Sequence, residues 1–129
     1  MKRITNSNSI VGRKSYSFSL EIIKLYKSLT LEKKDYILSK QILRSGTSIG
    51  ANVNEALSAE SKKDFIHKLG ITFKETKETS YWLNLLFDSQ YISEELFKKP
   101  DELCNELSKI LSSIIITTKQ KYLTQRPNS

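Results

Sequence analysis

The chain has few of the residues that interrupt helices or cross-link a fold. Its 129 residues include four glycines, two prolines and one cysteine, Cys104. A single cysteine excludes an intramolecular disulfide and suits a reducing compartment. The scarcity of glycine and proline favours long helices over many short strands. Because this length is enough for one domain with its own core, we expect a single all-α domain.

Long apolar segments are missing as well. The start of the chain contains no run of about 7–15 apolar residues after its basic residues, which a secretory signal would require. No stretch approaches the roughly 18 apolar residues of a membrane span. We therefore expect a cytoplasmic protein that makes no contact with a membrane.

The side chains from which catalytic and metal centres are built are scarce. His67 is the only histidine, and Asp64 gives it a single acid-x-x-His pair. Carboxylate-bridged metal bundles require two Glu-x-x-His motifs and two further glutamates, and zinc requires three or four ligands. Cys104 suits a small core residue, while nucleophilic chemistry with His67 stays open. We expect no metal, no cofactor and no enzymatic activity.

Apolar residues recur at helical spacing in four segments. The predicted helices are 15–29, 31–57, 61–88 and 101–123, within a bundle over 15–124. Thr30 and Ser61 are expected to cap the second and third helices, and Pro100 to stand in the first turn of the fourth. Residues 1–14 are expected to form a flexible basic arm and 125–129 a disordered tail. Four long helices with short connections predict an antiparallel up-down-up-down four-helix bundle.

The predicted second helix carries two distinctive patterns. Gly46 and Gly50 are four residues apart, a spacing that lets a neighbouring helix backbone come close. Polar residues at helical spacing form a ridge beside the apolar stripe: Gln41, Arg44, Ser48, Asn52 and Glu55.

A helical hairpin that turns near Ala59 would bring this ridge against the third helix. Arg44 then lies opposite Lys74 and Glu75, and Gln41 lies opposite Lys77 and Glu78. We expect Arg44 to pair with Glu75 or Glu78 in a network that fixes register. Trp82 falls on the same face of the third helix as the two glutamates. The ridge is therefore either a structural network or a contact with a ligand or another subunit. An exposed Trp82 would be a further candidate for a subunit contact.

The net charge of +7 lies at the two chain ends. Residues 1–14 contribute +4 and residues 119–129 contribute +3, whereas 15–118 holds 14 basic and 14 acidic residues. In an antiparallel bundle both termini and the connection between helices two and three share one end. We expect this positive end to bind nucleic-acid phosphates, with solvated tails that aid solubility as the equal alternative. The candidate residues are Lys2, Arg3, Arg13, Lys14, Lys62, Lys63, Lys119, Lys121 and Arg126.

Two motifs in order resemble a known family. Residues 41–56, QILRSGTSIGANVNEA, are similar to the second-helix signature of the 23S rRNA intervening-sequence protein family. Residues 64–69, DFIHKL, and 74–83, KETKETSYWL, resemble its third helix. The usual Asn-Ile-Ala-Glu reads Asn-Val-Asn-Glu at 52–55, and the resemblance covers roughly residues 15–122.

This resemblance implies a four-helix bundle that assembles as a homopentameric ring. The family takes its name from reading frames inside insertions of bacterial 23S rRNA genes. A related branch serves diversity-generating retroelements as an accessory protein that binds the reverse transcriptase and nucleic acid. The expectation is a non-enzymatic oligomer associated with RNA or DNA. The alternative is a protein–protein adaptor, for example one that docks a polymerase or reverse transcriptase, with no direct nucleic-acid role.

Overall fold

The chain folds into four helices joined by short connections. A computed structural model describes residues 9–125, with α1 at Ile10–Glu32, α2 at Leu38–Leu57, α3 at Lys62–Asp88 and α4 at Glu94–Gln125. Each helix packs against the next, and α4 returns to pack against α1. Within residues 9–125 there is no strand. The predicted all-α four-helix bundle is therefore confirmed.

The core consists of the inward stripes of all four helices. Its largest fully buried side chains are Phe18, Ile22, Leu25, Leu29, Ile42, Ile49, Val53, Leu69, Leu83, Leu86, Leu107 and Leu111. After Leu111 no residue up to 124 is fully buried. The last turns of α4 therefore lie at the margin of the core. The β-prone run 114–118 is nevertheless helical, as predicted, because packing overrides local propensity.

The first helix begins earlier than the sequence suggested. Ser9 caps it, because its hydroxyl accepts a hydrogen bond from the backbone N–H of Gly12 at 3.1 Å. Val11 and Gly12 are buried. The expectation of a flexible arm is thus wrong for residues 10–14, and its first eight residues lie outside the described part of the chain.

The second helix begins later than predicted, because Thr30 does not cap it. The Thr30 hydroxyl donates to the carbonyls of Tyr26 and Lys27 at 3.1 and 3.2 Å, so α1 continues to Glu32. The chain turns at Lys34, which has a left-handed φ of 53°. Asp35 then caps the start of α2, and its Oδ1 accepts from the N–H groups of Ile37 and Leu38 at 2.8 and 3.0 Å.

The other two helix starts follow their cap residues. Ser61 caps α3 as predicted, with its hydroxyl accepting from the N–H of Asp64 at 3.1 Å. Ser93 caps α4 in the same way, accepting from Leu96 N–H at 3.2 Å. The last helix therefore starts at Glu94 rather than 101, and Pro100 lies inside it instead of in its first turn. The cap and the acidic first turn outweigh the single hydrogen bond that proline removes.

Two glycines set the distance between α1 and α2. A Cβ on Gly46 would lie 2.7 Å from Ile22 Cγ1, and one on Gly50 would lie 2.9 Å from Ser19 Oγ. Neither position has room for a side chain. The predicted close approach of a second helix at these glycines is confirmed, and the approaching helix is α1.

Candidate nucleic-acid interface

Four helix ends meet at one end of the bundle, called here the basic end. The start of α1 lies against the end of α2, where the Cβ position of Gly50 is 3.3 Å from the Ser15 carbonyl oxygen. A short connection joins α2 to α3. The start of α3 and the end of α4 line one groove through Lys63 and Lys119. The topology therefore brings the described parts of both chain ends together.

The predicted phosphate-binding residues divide into three groups. Lys2, Arg3 and Arg126 lie outside the described residues. Lys14 points along the bundle and pairs with Glu106 of α4. Arg13, Lys62, Lys63, Lys119 and Lys121 are exposed at the basic end.

Acidic residues interleave with the cations at the tip of the basic end. The α2–α3 connection contains Glu60, and Asp64 follows Lys62 and Lys63 in the first turn of α3. The tip is therefore a mixture of charges. A cationic surface free of acids lies instead on the flank between α3 and α4.

Two surface depressions lie along the outer side of α3 and α4, and together they are called here the α3–α4 groove. Its lower stretch, at the basic end, has a volume of about 260 Å³ and is lined by Lys63, Ile66, Lys119, Tyr122 and Leu123. Its upper stretch, of about 530 Å³, is lined by Phe73, Lys77, Ser108, Lys109, Ser112, Ser113, Ile116 and Thr117. No aspartate or glutamate lines either stretch.

The groove lysines are available to an anion. In the described part of the chain, Lys63, Lys109 and Lys119 pair with no acidic side chain. Lys77 places its Nζ 5.2 Å from the centre of the Phe73 ring. From Lys63 to Lys77 the groove follows α3 for about 21 Å at 1.5 Å per residue. It therefore offers a row of cations beside a floor that is apolar in the lower stretch and mixes apolar and hydroxyl side chains in the upper one.

Gly70 lies between the two stretches of the groove. It is four residues after Ile66 and three before Phe73, so all three share one face of α3. A Cβ on Gly70 would meet no atom within 4 Å. Gly70 therefore leaves open space on the face of α3 that it shares with Ile66 and Phe73, although glycine costs about 1 kcal/mol in a helix interior.

Sequence reasoning missed Lys77, Lys109 and Gly70. One feature of the sequence does indicate Lys109: residues 107–129 contain no acid at all, so the basic segment is longer than 119–129. The groove itself could not be predicted from the sequence, because its lining depends on the register of α3 against α4. Lys63 and Lys119 were both predicted to bind phosphates, and the structure places these two beside the same groove.

The polar ridge of α2 meets α3 as its register predicted. Arg44 contacts Glu78 directly, and its Nη1 lies 3.6 Å from Glu75 Oε2. Trp82 joins the same cluster, because its indole N–H donates to Glu78 Oε2 at 3.1 Å. Ser48 turns back to its own helix and donates to the Ser45 carbonyl at 2.8 Å. Gln41 and Glu55 are exposed and Asn52 is half-buried.

An apolar patch adjoins this network at the other end of the α2–α3 face. Ile37, Tyr81 and Leu85 are 77%, 60% and 42% exposed. The Tyr81 and Trp82 rings meet edge to face, with centroids 5.4 Å apart. Since Arg44 lies against Glu78, antiparallel packing places Ile37 near Leu85. These four residues define the Trp82 patch, in which exposed apolar side chains lie beside the polar network.

The single cysteine and the single histidine lie in different environments. Burial, with the charge of Asp101, raises the pKa of the Cys104 thiol to about 12, and its Sγ donates to the Thr76 carbonyl at 3.4 Å. His67 is exposed to solvent. Among residues 9–125 no three potential ligands of the His, Cys, Asp or Glu type lie close enough to hold a metal ion. None of the described helices has both the length and the apolar character to cross a membrane.

The opposite end of the bundle has a different chemistry. A cleft of about 730 Å³ there is lined by both acids and bases, including Glu32, Lys33, Asp88 and Glu94. At the neighbouring α1–α2 connection, burial would raise the pKa of Asp35, but hydrogen bonds from Ile37, Tyr91 and other groups outweigh it and lower the pKa. The contact with Asp35 raises the pKa of Tyr91. These contacts stabilise a turn.

The fold and the groove define a helical-bundle protein with a lysine-lined surface. Residues 7–113 match the family described as 23S rRNA-intervening sequence protein. The chain belongs to this family, as its motifs predicted. It is also similar to a solved structure of a protein of unknown function from the S23 ribosomal protein family of Bacteroides thetaiotaomicron. The two share 50% identity with a TM-score of 0.80, over 82% of this chain and 98% of the other. No curated protein matches.

Proposed function

We propose that this protein is a non-enzymatic, oligomeric bundle that binds RNA or DNA phosphates in the cytoplasm. The observation that carries the proposal is the acid-free row of lysines in the α3–α4 groove, which continues from the basic end. Lysines without acidic partners give the strongest local attraction for a polyanion, because no neighbouring acid competes for them. Binding of this kind reads the backbone rather than the bases.

The test is a charge reversal restricted to the groove. A variant with Lys63→Glu, Lys109→Glu and Lys119→Glu should lose most of its affinity for a mixed-sequence RNA at about 50 mM salt. The slope of log affinity against log salt should fall by roughly 2–3, because each lost phosphate contact removes about 0.7–0.9. Fluorescence anisotropy over a salt series measures both quantities.

The matched control reverses three exposed lysines elsewhere, Lys27→Glu, Lys40→Glu and Lys98→Glu. It changes the net charge by the same amount and leaves the groove intact. If both triple variants bind RNA equally weakly, the groove is not the site and only overall charge matters. RNA binding absent from the unmodified protein at low salt overturns the proposal.

Oligomerisation is the second part of the proposal. The Trp82 patch supports a subunit contact, because exposed aromatic and aliphatic side chains anchor interfaces. The resemblance gives five as the number of copies, in a ring that repeats the groove and adds avidity. Mass measurement in solution tests the number. Leu85→Lys and Tyr81→Lys should lower the mass to that of a monomer, while Ile116→Lys, at an exposed site outside the patch, should not.

The alternative function is a protein–protein adaptor. The same exposed patch favours it, since Ile37 and Tyr81 offer more open apolar surface than a monomer needs. A pull-down that survives nuclease and high salt, and that Leu85→Lys abolishes while the assembly stays intact, would support this function over nucleic-acid binding.

A further inference from the structure

The floor of the α3–α4 groove differs from its rim. We propose that the groove binds single-stranded nucleic acid, with the phosphates on the rim lysines and unpaired bases on the apolar floor. This inference rests on the proposed function and adds the strandedness of the ligand. Two features carry it: the composition of the floor and the unfilled space at Gly70.

The floor offers rings and aliphatic surface in its lower stretch, and in its upper stretch Phe73 and Ile116 lie among serine and threonine hydroxyls. In the lower stretch Ile66, Tyr122 and Leu123 lie between Lys63 and Lys119. In the upper stretch Phe73 lies beside Lys77. Alternation of cations with aromatic rings is the arrangement by which proteins hold single strands, since every base has a face that can stack.

A double helix would use this surface poorly. Its phosphates lie on the outside and its bases are stacked inside, so only the rim would make contact. The apolar part of the floor would then stay exposed to water. Exposed bases of a single strand can instead enter the groove and remove that surface from water.

Gly70 extends the space available to a base in the middle of the floor. Open space at its Cβ position separates Ile66 from Phe73, and nothing in the described chain fills it. No contact between helices requires glycine here, in contrast to Gly46. The surrounding lysines and Phe73 favour a flat base ring as the group that occupies this space.

The experiment compares single and double strands on the full-length protein. The probes are a 20-nucleotide single-stranded RNA and a 20-base-pair RNA duplex, both at about 50 mM salt. The test variant is Gly70→Leu, which fills the floor without changing the charge. The matched control is Ala51→Leu, which adds a leucine at an exposed position of α2.

The unmodified protein should bind the single strand at least about tenfold more tightly than the duplex. Gly70→Leu should lower the affinity for the single strand by about fivefold or more, because each stacked base contributes at least that factor. The affinity for the duplex should not change. Phe73→Leu should act in the same direction. A thermal melt verifies that each variant is folded.

The outcomes separate this inference from the proposed function. If the lysine reversals abolish binding while Gly70→Leu and Phe73→Leu change nothing, phosphate binding stands and the single-strand inference is overturned. Duplex binding as tight as single-strand binding overturns it too. If the lysine reversals have no effect on either probe, both proposals fail together. Displacement of RNA from the groove by an acidic helical peptide that binds more tightly would assign the floor to a protein partner instead.

Discussion

Two glycine-containing surfaces of this bundle, one between α1 and α2 and one on the outside of α3 and α4, use the same residue in opposite ways. At Gly46 the neighbouring helix occupies the space that a side chain would take, and Ile22 comes within 2.7 Å of the Cβ position. At Gly70 no atom comes within 4 Å. A glycine in a helix therefore indicates close approach only when a neighbour is present. Where none is present, it indicates a place that something else can enter.

The polar groups of the two surfaces also differ: those of the closed contact are hydrogen-bonded, whereas the lysines of the open groove have no acidic partner among the described residues. The α1–α2 contact is closed, and its polar groups bond within their own helix, as Ser19 does to the Ser15 carbonyl at 3.1 Å. The α3–α4 groove is open, and its lysines have no acidic partner in the described chain. The α2–α3 face lies between these extremes, because Arg44 is paired yet half exposed. Substitutions on each surface can test this comparison.

The largest effect is expected for Gly46→Ala. The added methyl group would overlap Ile22, which is fully buried and cannot move outward. Overpacking costs about 1–3 kcal/mol, and the better helix propensity of alanine returns part of that, for a net loss of about 1–2 kcal/mol. Urea unfolding measures the change. An unaltered midpoint would mean that α1 and α2 are farther apart than described.

Arg44→Met should have the next largest effect. It leaves Glu75 half-buried without its cation, while Glu78 keeps the hydrogen bond from Trp82. We expect a loss of about 0.5–1 kcal/mol, reduced at high salt, because the pair is partly exposed. Lys40→Met on the same helix is the control. If the two variants unfold alike and assemble normally, the network does not fix the register of α2 against α3.

Gly70→Ala should stabilise the protein. A methyl group there meets no neighbour, so the change in helix propensity acts alone and adds about 0.5–1 kcal/mol. The same substitution thus has opposite signs at Gly46 and Gly70, and thermal melts of the pair measure the contrast directly. A Gly70→Ala protein that is less stable than the original would show that the groove is narrower than described.

The smallest effect concerns the α1–α2 connection. The pKa of Asp35 is lower in the folded chain than in the unfolded one, so its contribution is present above the unfolded pKa of about 3.9 and is lost as pH falls through the folded pKa. Asp35→Asn should cost about 0.5 kcal/mol at neutral pH, because the amide oxygen still caps α2. Between pH 6 and pH 3 the variant should lose less stability than the original. Parallel pH profiles of unfolding check this.

The sequence predicted the bundle, the Ser61 cap, the glycine contact and the pairing of Arg44. Each depends on periodicity or on spacing within one helix or one hairpin, which a single sequence records. The α2 start was missed because Lys34, which reverses the chain with a φ of 53°, is a residue type that carries no turn signal. The α3–α4 groove was missed because its lysines come from two helices whose register no local pattern records.

The buried state of Cys104 has a practical consequence for studying these surfaces. With a pKa of about 12, roughly one thiol in ten thousand is ionised at pH 8, and only the thiolate reacts with alkylating reagents. A cysteine introduced at Ser112, within the groove, would therefore take up a fluorescent label in preference to the native thiol. Occupancy of the groove can therefore be followed by fluorescence without first replacing Cys104.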